Sequence, residues 1–202
     1  MELRDALTQI AEIRAGMAAA ERFRGYRAVP VAASGLLAAV AAVLQPHLVP
    51  DPAADLAGYL ILWLTVAVVG AAAAGVRILL RDWFDPHPLT RDVTRLAVAQ
   101  FAPCLLAGGL VTVAVARHAP EFGWALPGLW EVLFSLGIFA SCRLLPRAVV
   151  WVGLFYLLAG TWNLAFGKHF GFSPWAMGVP FAVGQLAAAG VLYWNLERTD
   201  AE

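Results

Sequence analysis

The stretch "PGLWEVLFSLGIFASCRLLPR", residues 127–147, is apolar enough to cross a membrane yet carries Glu131 near its start. Counting from Trp124 at 1.5 Å per helical residue sets Glu131 ~10 Å inside the boundary of the apolar run. An acidic side chain at the centre of a span costs on the order of 2.5–3.5 kcal/mol, and such residues are functional candidates by default. Pro127 and Ser135 stand four residues to either side, on the same helical face, and Pro127 frees a backbone carbonyl there. Two chemistries fit. The carboxyl can hold or relay a proton, or it can join helices as a hydrogen-bonded acid, with Asn163 and Gln185 as donors from later spans.

Gln100 and Tyr156 complete the intramembrane polar candidates, and Tyr156 and Asn163, seven apart, share one helical face. Three histidines offer a second chemistry. His47, His118 and His169 each follow a Leu-Leu pair, by 11, 13 and 12 residues. If they converged they could bind zinc or copper, for which imidazole is a common ligand. The simpler reading ends one helix at each of them, level with lipid headgroups. In "RDWFDPHPLTRD" (81–92), Asp82, Asp85, His87 and Asp92 flank two prolines, which reads as a turn with Thr90 capping the next helix. Hydrolase, zinc-protease and phosphate-loop motifs are missing from the sequence, so neither a catalytic residue nor a cofactor is expected. Cys104 and Cys142 lie in apolar runs without metal or disulfide spacing and read as buried thiols.

The elements that position these residues are membrane spans. The chain is 61% hydrophobic and 14% charged over 202 residues, against about 45–50% and about 25% for soluble domains. A formal net charge of zero gives no basic patch for nucleic acid. Six apolar runs, at about 28–45, 56–76, 96–116, 124–142, 148–167 and 175–194, are each close to the roughly 20 residues a bilayer requires. The expected fold is all-α: a polytopic bundle of six transmembrane helices over 28–197, with a short tail at 198–202. The arginines at 4, 14, 22, 24, 27, 77, 81, 91, 95, 143, 147 and 198 fall on one side, and Arg117 and Lys168 on the other. The positive-inside rule then puts both termini in the cytoplasm of a bacterial inner membrane. Trp124 and Trp175 would lie at the outer interface, and Trp83, Trp151 and Trp194 at the inner one.

"LLAGGLVTVAVARHAPEFGWAL" (105–126) and "LLAGTWNLAFGKHFGFSPWAM" (157–177) share Leu-Leu-Ala-Gly, a basic residue before His, and Trp-Ala, at an offset of 51–52. A fainter copy at 36–50 extends the pattern to three helical hairpins in parallel repetition. Small residues at Gly70/Ala74, Gly137/Ser141 and Gly184/Ala188 suit close helix contact. Residues 1–27 read as an amphipathic helix, with Leu3, Leu7, Ile10, Ile13 and Met17 on one stripe. It would lie on the inner leaflet, dock a cytoplasmic protein through residues 1–24, or pair with a second copy. Its acidic residues, among them Glu2, Asp5 and Glu12, make it unlike a cleaved signal peptide.

"RFRGYRA", "CRLLPRA" and "SPWAMGVPFAVGQL" resemble a family of uncharacterised bacterial six-span membrane proteins. The resemblance implies a membrane bundle and no particular activity. The leading expectation is a non-enzymatic membrane protein that senses, scaffolds or modulates, with the lipid bilayer as its main partner and cytoplasmic contact through its N-terminal helix. The alternative is a small transporter or channel subunit, working as a homo-oligomer, that uses Glu131, Asn163 and Gln185.

Overall fold

The computed structural model describes residues 28–84, 88–142 and 145–197. The amphipathic helix expected at 1–27, the tail at 198–202, Arg143 and the side chains of the 77–95 connection lie outside the described residues. Six helices follow one another: α1 Ala28–Leu48, α2 Leu56–Phe84, α3 Pro88–His118, α4 Leu126–Ser141, α5 Val149–Phe166 and α6 Pro174–Leu192. A 3-10 turn, Pro120–Ala125, leads into α4, and a π turn, Tyr193–Glu197, follows α6. The described residues contain no strand, and they hold six helices long and apolar enough to cross a membrane. The fold is that of a multi-pass membrane protein. The end carrying the α1–α2, α3–α4 and α5–α6 connections is called distal below.

Local chemistry sets the helix ends. Pro50 and Pro52 follow α1, and neither can donate to a continuing helix. Asp55 then opens α2 as its N-cap, its Oδ1 accepting the Gly58 N–H at 2.8 Å. Asp51 does the same for the preceding turn, accepting from Ala53 and Ala54 at 3.2 and 3.1 Å. Helix α6 begins with Pro174 in its first turn, where a missing N–H costs nothing. Helix α3 likewise begins at Pro88. Thr90 therefore lies inside the first turn and is not the cap that the turn-forming prolines suggested. Pro127 is the second residue of α4, and the carbonyl it would have left free, Gly123 O, is taken by the Leu126 N–H.

The most extensive packing joins α1 to α6 and α4 to α5, ahead of any of the hairpin pairs that the repeat suggested. First and last spans thus close the bundle. Small residues permit both contacts. Ala38, Ala41 and Ala42 of α1 are buried, and Gly178 of α6 sits directly on Ala42. Between α4 and α5 the backbones themselves touch. A Cβ on Gly128 would lie 2.7 Å from the Gly160 carbonyl oxygen, and one on Gly160 would lie 2.8 Å from that of Gly128. Any larger residue at either position must push the helices apart. Helices α2 and α3 are different. Only 11% and 6% of their membrane-length stretches are buried, against 33–50% for the other four. At 29 and 31 residues they run to ~44 and ~46 Å, longer than a hydrocarbon core of about 30 Å. Trp151, Trp175 and Trp194 are exposed near helix ends, where an aromatic belt would place them.

Candidate functional site

Glu131 lies on the face of α4 that carries Pro127, Gly128 and Ser135, all of them buried. Its side chain is 0% exposed. The close α4–α5 approach at Gly128 and Gly160 brings Asn163, one turn further along α5, level with the carboxyl. Asn163 Nδ2 donates to Glu131 Oε1 at 2.9 Å and to Oε2 at 3.0 Å. The same nitrogen donates to the backbone carbonyl of Ala176 on α6 at 2.9 Å. An amide nitrogen has two hydrogens, so one is shared between the carboxyl oxygens and the other serves Ala176. That carbonyl is available for a local reason. Its usual helical donor would be residue 180, which is proline, buried inside α6. One amide therefore ties α4, α5 and α6 together, and it satisfies the acceptor that Pro180 leaves open.

Gln185 does not join this arrangement. It stands nine residues beyond Ala176, about two and a half helical turns, which turns it to the opposite face of α6. There it packs against α1, where a Cβ on Gly35 would lie 3.0 Å from the Gln185 Cβ. The expected trio of Glu131, Asn163 and Gln185 is in fact a pair plus a carbonyl. Tyr156 does share the buried face of α5 with Asn163, and its ring tip fits against Gly184 of α6. Its hydroxyl has no hydrogen-bond partner among the described residues. Gln100 on α3 is half-buried, with its side-chain oxygen enclosed and without a partner among the described residues.

His47 and His118 lie in the last turns of α1 and α3, and His169 lies just past α5, so all three reach the distal end as the repeat required. Each is exposed. They do not converge: the described residues contain no group of three His, Cys, Asp or Glu side chains able to hold a metal. Three helix ends spaced around a bundle keep their side chains apart and facing outward.

Sequence reasoning missed a second amide. Gln45 is 1% exposed. Its Oε1 accepts from Trp63 Nε1 of α2 at 2.9 Å, and its Nε2 donates to the Phe172 carbonyl of the α5–α6 connection at 2.8 Å. Gln45 precedes Pro46 and His47 and so resembles a span boundary. The usable signal was Trp63. A tryptophan well inside a span is out of place in an interfacial belt, and its N–H needs an acceptor. Trp130 repeats the pattern, donating to Thr112 Oγ1 of α3 at 2.8 Å. Tyr59 of α2 was missed as well. It is 0% exposed, its hydroxyl without a partner among the described residues.

Comparison of the chain with known protein families, with curated proteins and with solved structures gives no match.

Proposed function

We propose that the protein is a non-enzymatic integral membrane scaffold or sensor of a bacterial cytoplasmic membrane. In this reading both termini are cytoplasmic and residues 1–24 supply the contact with a soluble partner or a second copy. Twelve of the fourteen Lys and Arg residues on one side support the orientation. The observation that carries the functional reading is the use made of the buried amides. Gln45 and Asn163 are both engaged in holding helices together, which is what an interior built for shape requires.

The competing reading is a small transporter or channel subunit. In its favour, Glu131 has no ion-pair partner among the described residues. Against it stands Gln185, turned toward α1. Proteoliposomes loaded with a pH-sensitive dye separate the two. The scaffold reading expects the same proton leak from the parent and from Glu131→Gln, and deletion of residues 2–20 should leave a folded, inserted bundle that loses cytoplasmic contact. A proton flux present in the parent and lost in Glu131→Gln would establish the transporter instead.

A further inference from the structure

The α5–α6 connection, residues 167–173, turns inward instead of running over the surface. Lys168, His169 and Phe170 are exposed, but Gly171 is buried and Phe172 half-buried. Phe172 enters the distal end of the bundle. Its ring stands edge-on to Tyr59 of α2 at 5.3 Å, and its carbonyl accepts from Gln45 Nε2 of α1 at 2.8 Å. The 3-10 turn closes a third side, where a Cβ on Gly123 would lie 3.1 Å from Phe172 Cζ. Glycines let the connection lie close. A Cβ on Gly171 would collide with the Trp124 carbonyl oxygen, and one on Gly167 would come 3.6 Å from the Trp124 ring.

The two feet of this connection stand on the Glu131 pair. Asn163 lies in the last turn of α5 and Ala176 in the first turn of α6, and the 2.9 Å bond from Asn163 Nδ2 to the Ala176 carbonyl ties them together. Glu131 is held by the same nitrogen. It is the sixth residue of α4, only ~8 Å from the distal end of that helix. An acid so near a helix end is nevertheless 0% exposed. The connection, seated on Trp124 and bridging from α5 to α6, is the segment placed to cover it. We propose that residues 167–173 form a lid over Glu131: shut, they close the carboxyl off from distal water, and open, they admit that water to it.

The lid is lightly fastened. Among the described residues, Gln45 to Phe172 is the one hydrogen bond that ties it to a helix other than α5 and α6. Its remaining bonds are local, from Phe170 to the Gly167 carbonyl at 3.1 Å and from Ser173 to the Phe170 carbonyl at 2.7 Å, so its turns survive when it swings as a unit. Opening parts the Gln45 latch and withdraws one aromatic ring, and the six spans stay packed. The lid gives the acid access to the distal face alone. It goes beyond the scaffold and transporter readings and stands whichever of them holds.

Coupling of carboxyls to an added amine by a water-soluble carbodiimide tests the lid on the full-length protein in lipid nanodiscs, read residue by residue by mass spectrometry. Glu121, exposed at the distal end, is the reference. In the parent, Glu131 should couple far more slowly than Glu121. Gln45→Leu removes the latch and should speed Glu131 by about tenfold, the effect of a lost hydrogen bond on a local opening equilibrium, with Glu121 unchanged. Phe172→Ala keeps the carbonyl but removes the ring, should speed Glu131 as well, and decides the matter if Gln45→Leu does not fold. Thr112→Val, which breaks the Trp130–Thr112 bond between α3 and α4, should leave the rate at its parent value. A Glu131 that couples as fast as Glu121 in the parent would overturn the lid. So would a rate that neither Gln45→Leu nor Phe172→Ala raises, or one that Thr112→Val raises equally.

Discussion

Gln45 and Asn163 do the same mechanical job at neighbouring places in the bundle, and they differ in what they leave behind. Gln45 uses its acceptor on Trp63 and its donor on Phe172, so a neutral amide meets neutral partners and both ends are engaged. Asn163 uses its donor nitrogen on Ala176 and on an acid. That acid receives no other hydrogen bond among the described residues. A buried amide that closes its own accounting is sufficiently explained as structure. One that binds a carboxyl, and leaves that carboxyl's acceptor capacity over, calls for a further explanation.

The comparison breaks most completely if the helices that carry Asn163 and Glu131 are forced apart. Gly160→Leu would set a side chain against the Gly128 carbonyl and the Val132 backbone, at the upper end of the about 1–3 kcal/mol typical of overpacking. The thermal transition in detergent should fall accordingly or be lost. Gly190→Leu, where a Cβ meets nothing within 4 Å, should leave it in place.

Asn163→Leu comes next. It strands both the Glu131 carboxyl and the Ala176 carbonyl, and should cost about 3 kcal/mol. Pro180→Ala gives Ala176 a helical donor of its own, so in the Asn163→Leu background it should recover about 1 kcal/mol. Equilibrium unfolding of the two variants and their combination would show this as non-additivity, and strict additivity would disconnect Pro180 from the clamp.

Gln45→Leu should cost less, about 2 kcal/mol, because it leaves only neutral groups, the Trp63 N–H and the Phe172 carbonyl, without partners. Trp63 fluorescence should report the altered surroundings of the indole. A loss as large as that of Asn163→Leu would remove the distinction between the two amides.

The smallest effect is expected at the acid itself. Glu131→Gln keeps an acceptor for Asn163 and supplies a donor, so stability should change by less than about 1 kcal/mol. A large loss in the same melting experiment would make the negative charge or the acid proton part of the fold.

Much of this arrangement was legible in the residues, and the parts that were not have definite reasons. Six apolar runs of span length in a chain this poor in charge read as membrane spans, and helices long and apolar enough to cross a membrane follow them closely. Glu131 stood out because an acid in an apolar run is costly, and Asn163 because it is the polar residue facing it one span later. Gln185 was misassigned because polarity and depth do not report helical phase. Nine residues from Ala176 is half a turn out, which only the position of α1 makes visible. Gly128 and Gly160 were not singled out, since small residues abound in every span and spacing within one helix does not name the partner helix. The close pairing of α1 with α6 joins the ends of the sequence, where short connections offer no guide. Pro180 was readable only in part. A proline in a span frees a carbonyl, but which side chain answers it depends on how α5 packs.

The central claim is that Glu131 and Asn163 interact as a buried interhelical pair. A double-mutant cycle on reversible unfolding in detergent, with Glu131→Leu, Asn163→Leu and the double variant, tests it most directly. The account predicts a favourable coupling of about 1 kcal/mol, within the range measured for interhelical polar contacts in membranes. Two substitutions whose effects simply add would contradict it.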